Sequence, residues 1–181
     1  MKRLLNLIIY LILIILWSCG NAGSNKFGNE TGMVKIKQQD DGRISLPLEK
    51  ASCYHNRHDP SLNTAEWSFV VSKPGRYNVW LSSATRDTMN LGYSNAVRID
   101  LNDERLEARP VGDKIIPDAR DVKKPYFRAD SYMGSVYIQE PGEYSIQVIS
   151  EKVIALDENS ETAGASPETM MMSVFLTPMT R

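Results

Sequence analysis

Along most of this chain apolar and polar residues alternate one for one, the period of a half-buried β-strand. Trp67, Phe69 and Val71 share one face of a segment running from Glu66 to Ser72, and Tyr77, Val79 and Leu81 share one face of the next. Between them stands Pro74-Gly75, so Ser68 to Leu81 reads as a β-hairpin closed by a type II corner, with Gly75 at positive φ. The pattern returns 67 positions later, where Ser135 to Val148 carries Pro141-Gly142 followed by Tyr144. Both copies have the form x-Pro-Gly-x-Tyr-x-φ-x-φ, φ being aliphatic, and the second also predicts a hairpin.

Further strands are expected at Val34 to Lys37 and at Ile44 to Leu48, the latter at a sheet edge because Pro47 lacks a donor. Val97, Ile99 and Leu101 alternate with Arg98, Asp100 and Asn102, and an Asn102-Asp103 turn leads into a strand from Arg105 to Ala108. Short strands at Tyr126 to Arg128 and Met171 to Thr177 complete the set. No stretch after the first twenty residues holds a 3.6-residue apolar stripe. The expectation is an all-β protein, an antiparallel β-sandwich of the jelly-roll kind in a single domain. Four stretches exceed simple turns: Ser52 to Thr64, Arg86 to Ala96, Val111 to Pro125, and the acidic segment Ala155 to Glu168. Connections of this length in a compact domain are commonly functional.

The start of the chain follows a different rule. Met1-Lys2-Arg3 is basic, and the 13 residues Leu4 to Leu16 are nearly all aliphatic, too short for the ~20 residues that span a bilayer. This is the layout of a secretory signal. With Cys19 after Leu16-Trp17-Ser18, it resembles the lipobox of bacterial lipoproteins, in which the cysteine becomes the acylated amino terminus. The resemblance implies a signal peptide over 1–18, a lipidated Cys19 opening a flexible linker over 19–31, and a folded domain over 32–181. It also implies a bacterial cell envelope location, anchored in the outer membrane and facing the periplasm or the surface. Acylation of Cys19 would leave Cys53 without a disulfide partner. Removing Lys2 and Arg3 leaves 19 basic against 22 acidic residues, a net charge of −3, with no basic patch for a phosphate backbone. Nucleic acid is excluded as a partner.

The run Ala65-Glu66-Trp67-Ser68-Phe69, the turn Pro74-Gly75-Arg76-Tyr77, the strand Gly134-Ser135-Val136-Tyr137-Ile138 and the second turn Pro141-Gly142-Glu143-Tyr144 together resemble a known family. It is the galactose-binding-like jelly roll of carbohydrate-binding modules in families six and thirty-five, and of the β-sandwich appended to bacterial α-L-fucosidases and sulfatases. The resemblance covers Ile44 to Pro178 and implies a carbohydrate ligand held by loops at one end of the sandwich. On these grounds the candidate ligand-binding residues are Tyr54, Asn56 and His58 in the first loop, Tyr93 and Asn95 in the second, and Tyr126 with Arg128 in the third. The bland alternative puts Phe127 and Tyr132 in the core and pairs Arg128 with Asp130, as Trp67 is also assigned to the core. The family's structural calcium finds a first acidic ligand in Glu49, but Met170-Met171-Met172-Ser173 offers no closing acid. No other cofactor is implied.

His55 and His58 are the only histidines, and no third exists to complete a metal site. There is no Gly-x-Ser-x-Gly elbow, and no pair of carboxylates is singled out for glycoside chemistry. The reading is a non-catalytic, lipid-anchored carbohydrate-binding protein working beside polysaccharide-degrading enzymes, with a glycoside hydrolase or envelope protein as partner. A structural envelope lipoprotein without a sugar site is the alternative, and a glycan-active hydrolase or lyase comes third.

Overall fold

The computed structural model describes residues 35–153 and 167–179. The signal segment, Cys19, the linker and most of the acidic stretch after Ala155 lie outside the described residues. Within them the chain forms eleven strands and two short 3₁₀ turns. The strands are β1 Ile36–Lys37, β2 Ile44–Pro47, β3 Ser52–Tyr54, β4 Thr64–Val71, β5 Gly75–Thr85 and β6 Val97–Leu101, then β7 Glu104–Ala108, β8 Lys114–Ile116, β9 Phe127–Ile138, β10 Gly142–Ile149 and β11 Thr169–Pro178.

They build two sheets face to face. One has the order β1-β4-β10-β6-β7, with β3 pairing the other half of the β4 edge; the second runs β2-β11-β5-β9-β8. Every ladder is antiparallel except the short β1–β4 pair. Setting aside the short strands β1, β3 and β8, the remaining eight have the connectivity of a jelly roll. The all-β sandwich is as the alternation implied, and β2 with its Pro47 is indeed an edge strand. The core is the space between the sheets. It holds Ala65, Trp67, Phe69 and Val71 from β4, Tyr77, Val79 and Leu81 from β5, and Val97, Ile99 and Leu101 from β6. Trp67 is 1 % exposed and donates its indole N–H to the Pro47 carbonyl at 2.8 Å, so its one polar atom is satisfied inside the core.

The two hairpins are not hairpins. β4 and β5 belong to different sheets, and so do β9 and β10. Each Pro-Gly segment is an arch that carries the chain across the core. Alternation specifies which face of a strand is buried but not which edge is paired, so the pattern fits both arrangements. Packed sheets lie about 10 Å apart, roughly the reach of three extended residues, and Ser72-Lys73-Pro74 is a connection of that length. Gly75 accordingly has φ 151° rather than the φ of a type II corner, with nothing near the position of a Cβ.

The arches explain the repeated tyrosine. The Tyr77 hydroxyl donates to the carbonyl of Lys73, and the Tyr144 hydroxyl donates to the carbonyl of Glu140 at 2.7 Å. Each ring thereby ties the start of the incoming strand to the arch four residues upstream, the device of a tyrosine corner. Gln38 pins the first arch further. Its Oε1 accepts from the Ser72 and Lys73 amides at 2.9 and 2.8 Å, while its Nε2 donates to the Tyr77 hydroxyl and the Gly42 carbonyl, both at 2.7 Å.

The strands expected at Tyr126 to Arg128 and at Ser135 to Gln139 are one twelve-residue strand, β9. Its core-facing positions run Ala129, Ser131 and Met133, then jump phase to Val136 and Ile138, with Asp130 buried as well. A bulge opposite Val79 and Trp80 takes up the extra residue. Gly134 sits there at φ 130°, and a Cβ on it would lie 3.0 Å from the Leu106 side chain of β7. The three-residue strands β3 and β8 fall inside stretches that read as loops, being too short to display a period.

The register also sorts the connections. Thr64 pairs with Ile149, Ile149 with Arg98, and Val97 with Ala108, while Thr85 pairs with both Thr169 and Phe127. The long connections 55–63, 86–96, 109–126 and 150–168 therefore leave the strands at one end of the sandwich, and the two arches occupy the other.

Candidate functional site

At the loop end the predicted residues separate. Tyr54 ends β3 and is 51 % exposed. Asn56 organises the loop that follows: its amide donates to Asn63 Oδ1 at 2.9 Å, and its own Oδ1 accepts from the His58 and Asp59 amides at 3.0 Å. His58 is exposed beside it. Asn63 then fastens this loop to the next, receiving the Ser150 amide on its carbonyl at 2.9 Å and donating Nδ2 to the Val153 carbonyl at 3.1 Å. Asn95 is exposed nearby, where Glu151 Oε1 accepts from the Ser94 and Asn95 amides at 2.7 and 3.4 Å. Tyr54, Asn56, His58 and Asn95 thus flank one junction.

Tyr93 goes inward instead. It is 5 % exposed, its hydroxyl meets Ser83 Oγ at 2.8 Å, and burial pushes its phenol well above the ordinary value. It presents no ring face to a ligand. Tyr126 donates its hydroxyl to the Pro167 carbonyl at 2.7 Å, and the Arg86 guanidinium lies 4.8 Å above its ring. Arg128 is held by carboxylates. Nε and one terminal nitrogen reach the two oxygens of Asp130 at 2.8 and 3.1 Å, and the other terminal nitrogen reaches Asp121 at 2.9 Å. Partial burial works against its charge, but the two carboxylates outweigh that and raise its pKa. The seven candidates therefore do not share one surface.

A different surface gathers aromatic and cationic groups. Because Tyr77, Val79 and Leu81 point into the core, Asn78, Trp80 and Ser82 point to the outer face of the second sheet. There Trp80 lies opposite Phe175 of β11 on one side and Tyr132 of β9 on the other. Trp80 and Phe175 are nearly parallel (6°) with centroids 6.2 Å apart, and Trp80 meets Tyr132 edge to face at 5.3 Å. Tyr132 is 44 % exposed, so it is not a core residue. Cations sit over these rings: Lys114 Nζ is 4.1 Å from the Trp80 centroid, and the guanidinium carbons of Arg43 and Arg128 are 4.6 and 5.5 Å from that of Phe175. Beside the row, buried Asp130 accepts the Ser82 hydroxyl at 2.8 Å as well as Arg128. Phe175 is 6 % exposed beneath these cations, so the half-buried Trp80 and the exposed Tyr132 are the rings of the row that reach the surface.

The alternating pattern held a signal for this face. Trp80 stands among Asn78 and Ser82 on the polar side of its strand, an out-of-place large aromatic. That Phe175, Arg43 and Lys114 join it depends on which strands pair, which no local pattern reports.

Other features are plainer. No three His, Cys, Asp or Glu groups come together among the described residues, and Glu49 is exposed in the 3₁₀ turn Leu48–Lys50. Cys53 is a half-buried free thiol whose pKa burial raises. A hollow of about 300 Å³ lies at the arch end, bordered by Asp103, Glu104, Tyr137, Glu140 and Tyr144.

No protein-family model and no curated protein matches the chain. Solved structures do. The α-L-fucosidase from Vibrio sp. strain EJY3 superposes with a TM-score of 0.60 at 19 % identity, covering 80 % of this chain and 24 % of that one. The GH26-CBM35 β-(1,4)-mannanase of Podospora anserina gives a TM-score of 0.45 at 14 % identity over 78 % of this chain and 28 % of its own. The chain is a β-sandwich that shares its fold with part of the Vibrio fucosidase. It spans about a quarter of the length of these two proteins.

Proposed function

We propose that this protein is a lipid-anchored, non-catalytic carbohydrate-binding protein of a bacterial cell envelope, and that its saccharide lies on the outer face of the second sheet. The observation that carries the reading is the pair Trp80–Tyr132 on adjacent strands, half-buried and 44 % exposed respectively, beside the exposed Lys114 and backed by the buried ring of Phe175. Aromatic rings with a polar edge are the side chains best suited to a partner that has apolar and hydroxylated faces together. The loop-end residues Tyr54, Asn56, His58 and Asn95 form a second polar surface that contributes hydrogen bonds if a long glycan extends past the sheet. The basic start, short apolar run and Cys19 support export and acylation. A role beside a glycoside hydrolase is supported by the likeness in fold to part of the Vibrio fucosidase.

The test is affinity electrophoresis and a glycan array with the full chain purified in detergent, wild type against Trp80→Ala. Retention of the wild type on at least one polysaccharide, lost in the variant, is expected. A wild type that binds no glycan sinks the reading. Labelling with a radioactive fatty acid, abolished by Cys19→Ser, tests the anchor.

A further inference from the structure

Resting on that carbohydrate reading, we infer that Lys114 competes with the saccharide for the face of Trp80 and so sets how tightly the site binds. Lys114 is exposed, and its ammonium stands 4.1 Å from the centroid of the half-buried indole. It covers Trp80 from the solvent side, the side from which a sugar comes. The cover follows from what the neighbouring groups have already taken. Lys114 opens the edge strand β8 and pairs in register with Asp130. Both Asp130 oxygens are occupied, Oδ1 by Ser82 and Arg128 and Oδ2 by Arg128, and the residue is buried. Asp113, the carboxylate next to Lys114 in the chain, accepts the Tyr132 amide at 2.7 Å. Lys114 makes no ion pair among the described residues, and the electron-rich indole face is the partner left to it.

The backbone under the lysine is fixed. Besides the bond from the Tyr132 amide to Asp113, the Gly112 amide donates to Ser131 Oγ at 2.9 Å, so the chain is stitched to β9 just before β8 begins. The flexible lysine stem is therefore the part that swings clear. The C–H face of a sugar and the ammonium need the same ring surface, so each excludes the other. Binding consequently gives up the cation–π contact, which at an exposed site corresponds to about 2- to 5-fold in affinity.

Lys114→Ala and Lys114→Arg test this in the full chain purified in detergent; the position is exposed, so both variants keep the fold. Acrylamide quenching of tryptophan fluorescence reads the cover without any ligand, a Trp80→Phe protein supplying the signal of the other tryptophans. Quenching of Trp80 should rise when Lys114 becomes alanine. Affinity electrophoresis in neutral galactan, galactomannan and β-glucan reads the competition. The alanine variant should bind about 2- to 5-fold more tightly than wild type. The arginine variant should bind more weakly than wild type, because a planar guanidinium stacks better on an aromatic face. Alanine at 114 that leaves Trp80 no more open to the quencher overturns the inference. Equal affinity in all three proteins overturns it too, as does the reverse order, which would make the lysine a donor to the sugar; each of these leaves the carbohydrate reading standing. Absence of retention of all three proteins on every glycan overturns both.

Discussion

Replacing Tyr77 by phenylalanine removes one oxygen from a ring that is 2 % exposed. That oxygen donates to the Lys73 carbonyl and accepts from Gln38 Nε2 at 2.7 Å. Two hydrogen bonds are lost at a partly buried arch, each contributing about 1 kcal/mol, so the cost should be about 2 kcal/mol. Gln38 Nε2 keeps the Gly42 carbonyl, which prevents a larger loss. Tyr144 is half-buried and its hydroxyl makes one bond, to Glu140, so Tyr144→Phe should cost about 0.5–1 kcal/mol. Urea unfolding followed by tryptophan fluorescence reads both, because Trp67 is in the core. With a slope near 2 kcal/mol per molar, the Tyr77 variant should shift its midpoint by about 1 M at unchanged slope, and its Tm should fall by roughly 4–8 °C. A Tyr77→Phe protein within about 0.5 kcal/mol of wild type, or a Tyr144→Phe protein that loses more, would refute the corner as the reason for the repeated motif.

The two arch glycines should differ under substitution. Gly75→Ala should destabilise by about 1–2 kcal/mol because φ is positive there, whereas Gly142 lacks that feature and Gly142→Ala should stay within about 0.5 kcal/mol in the same assay. Gly134→Ala combines positive φ with a 3.0 Å approach to Leu106 and should cost about 2–4 kcal/mol by thermal melting. Asp130→Ala should cost about 2–4 kcal/mol by thermal melting, since it removes the acceptor of the buried Ser82 hydroxyl and leaves Arg128 with Asp121 alone; a neutral result would mean that these bonds do not stabilise the sheet. Burial raises the Cys53 thiol pKa, so less thiolate is present at any pH below it. Alkylation followed by mass at the Cys53 peptide should therefore be slow near pH 7 and accelerate on unfolding in urea.

Much of the fold was open to reading in the chain. The alternation of Trp67, Phe69 and Val71, of Tyr77, Val79 and Leu81, and of Val97, Ile99 and Leu101 marks the inward faces, and each is buried. The pattern failed where it lost phase, at the Gly134 bulge, and where strands were three residues long, as in β3 and β8. The candidate site fared less well. Asn56, His58 and Asn95 are on loops as expected and Tyr54 ends β3, but Tyr93 has the look of a loop residue in sequence and turns into the core to meet Ser83. A polar-flanked tyrosine carries no local sign of which way its loop folds.

What the sequence determined by itself was which residues face inward, since burial of apolar surface follows from alternation and needs no knowledge of neighbours. It also set the two tyrosine corners, because the hydroxyl and the carbonyl it seeks are only four residues apart. Only the tertiary structure decided that the Pro-Gly segments cross between sheets, since period two is silent about which edge a strand pairs with. The same long-range pairing brought Arg43, Lys114, Trp80, Tyr132 and Phe175 from five separate segments onto one face. A site assembled across strands exists only once the register does.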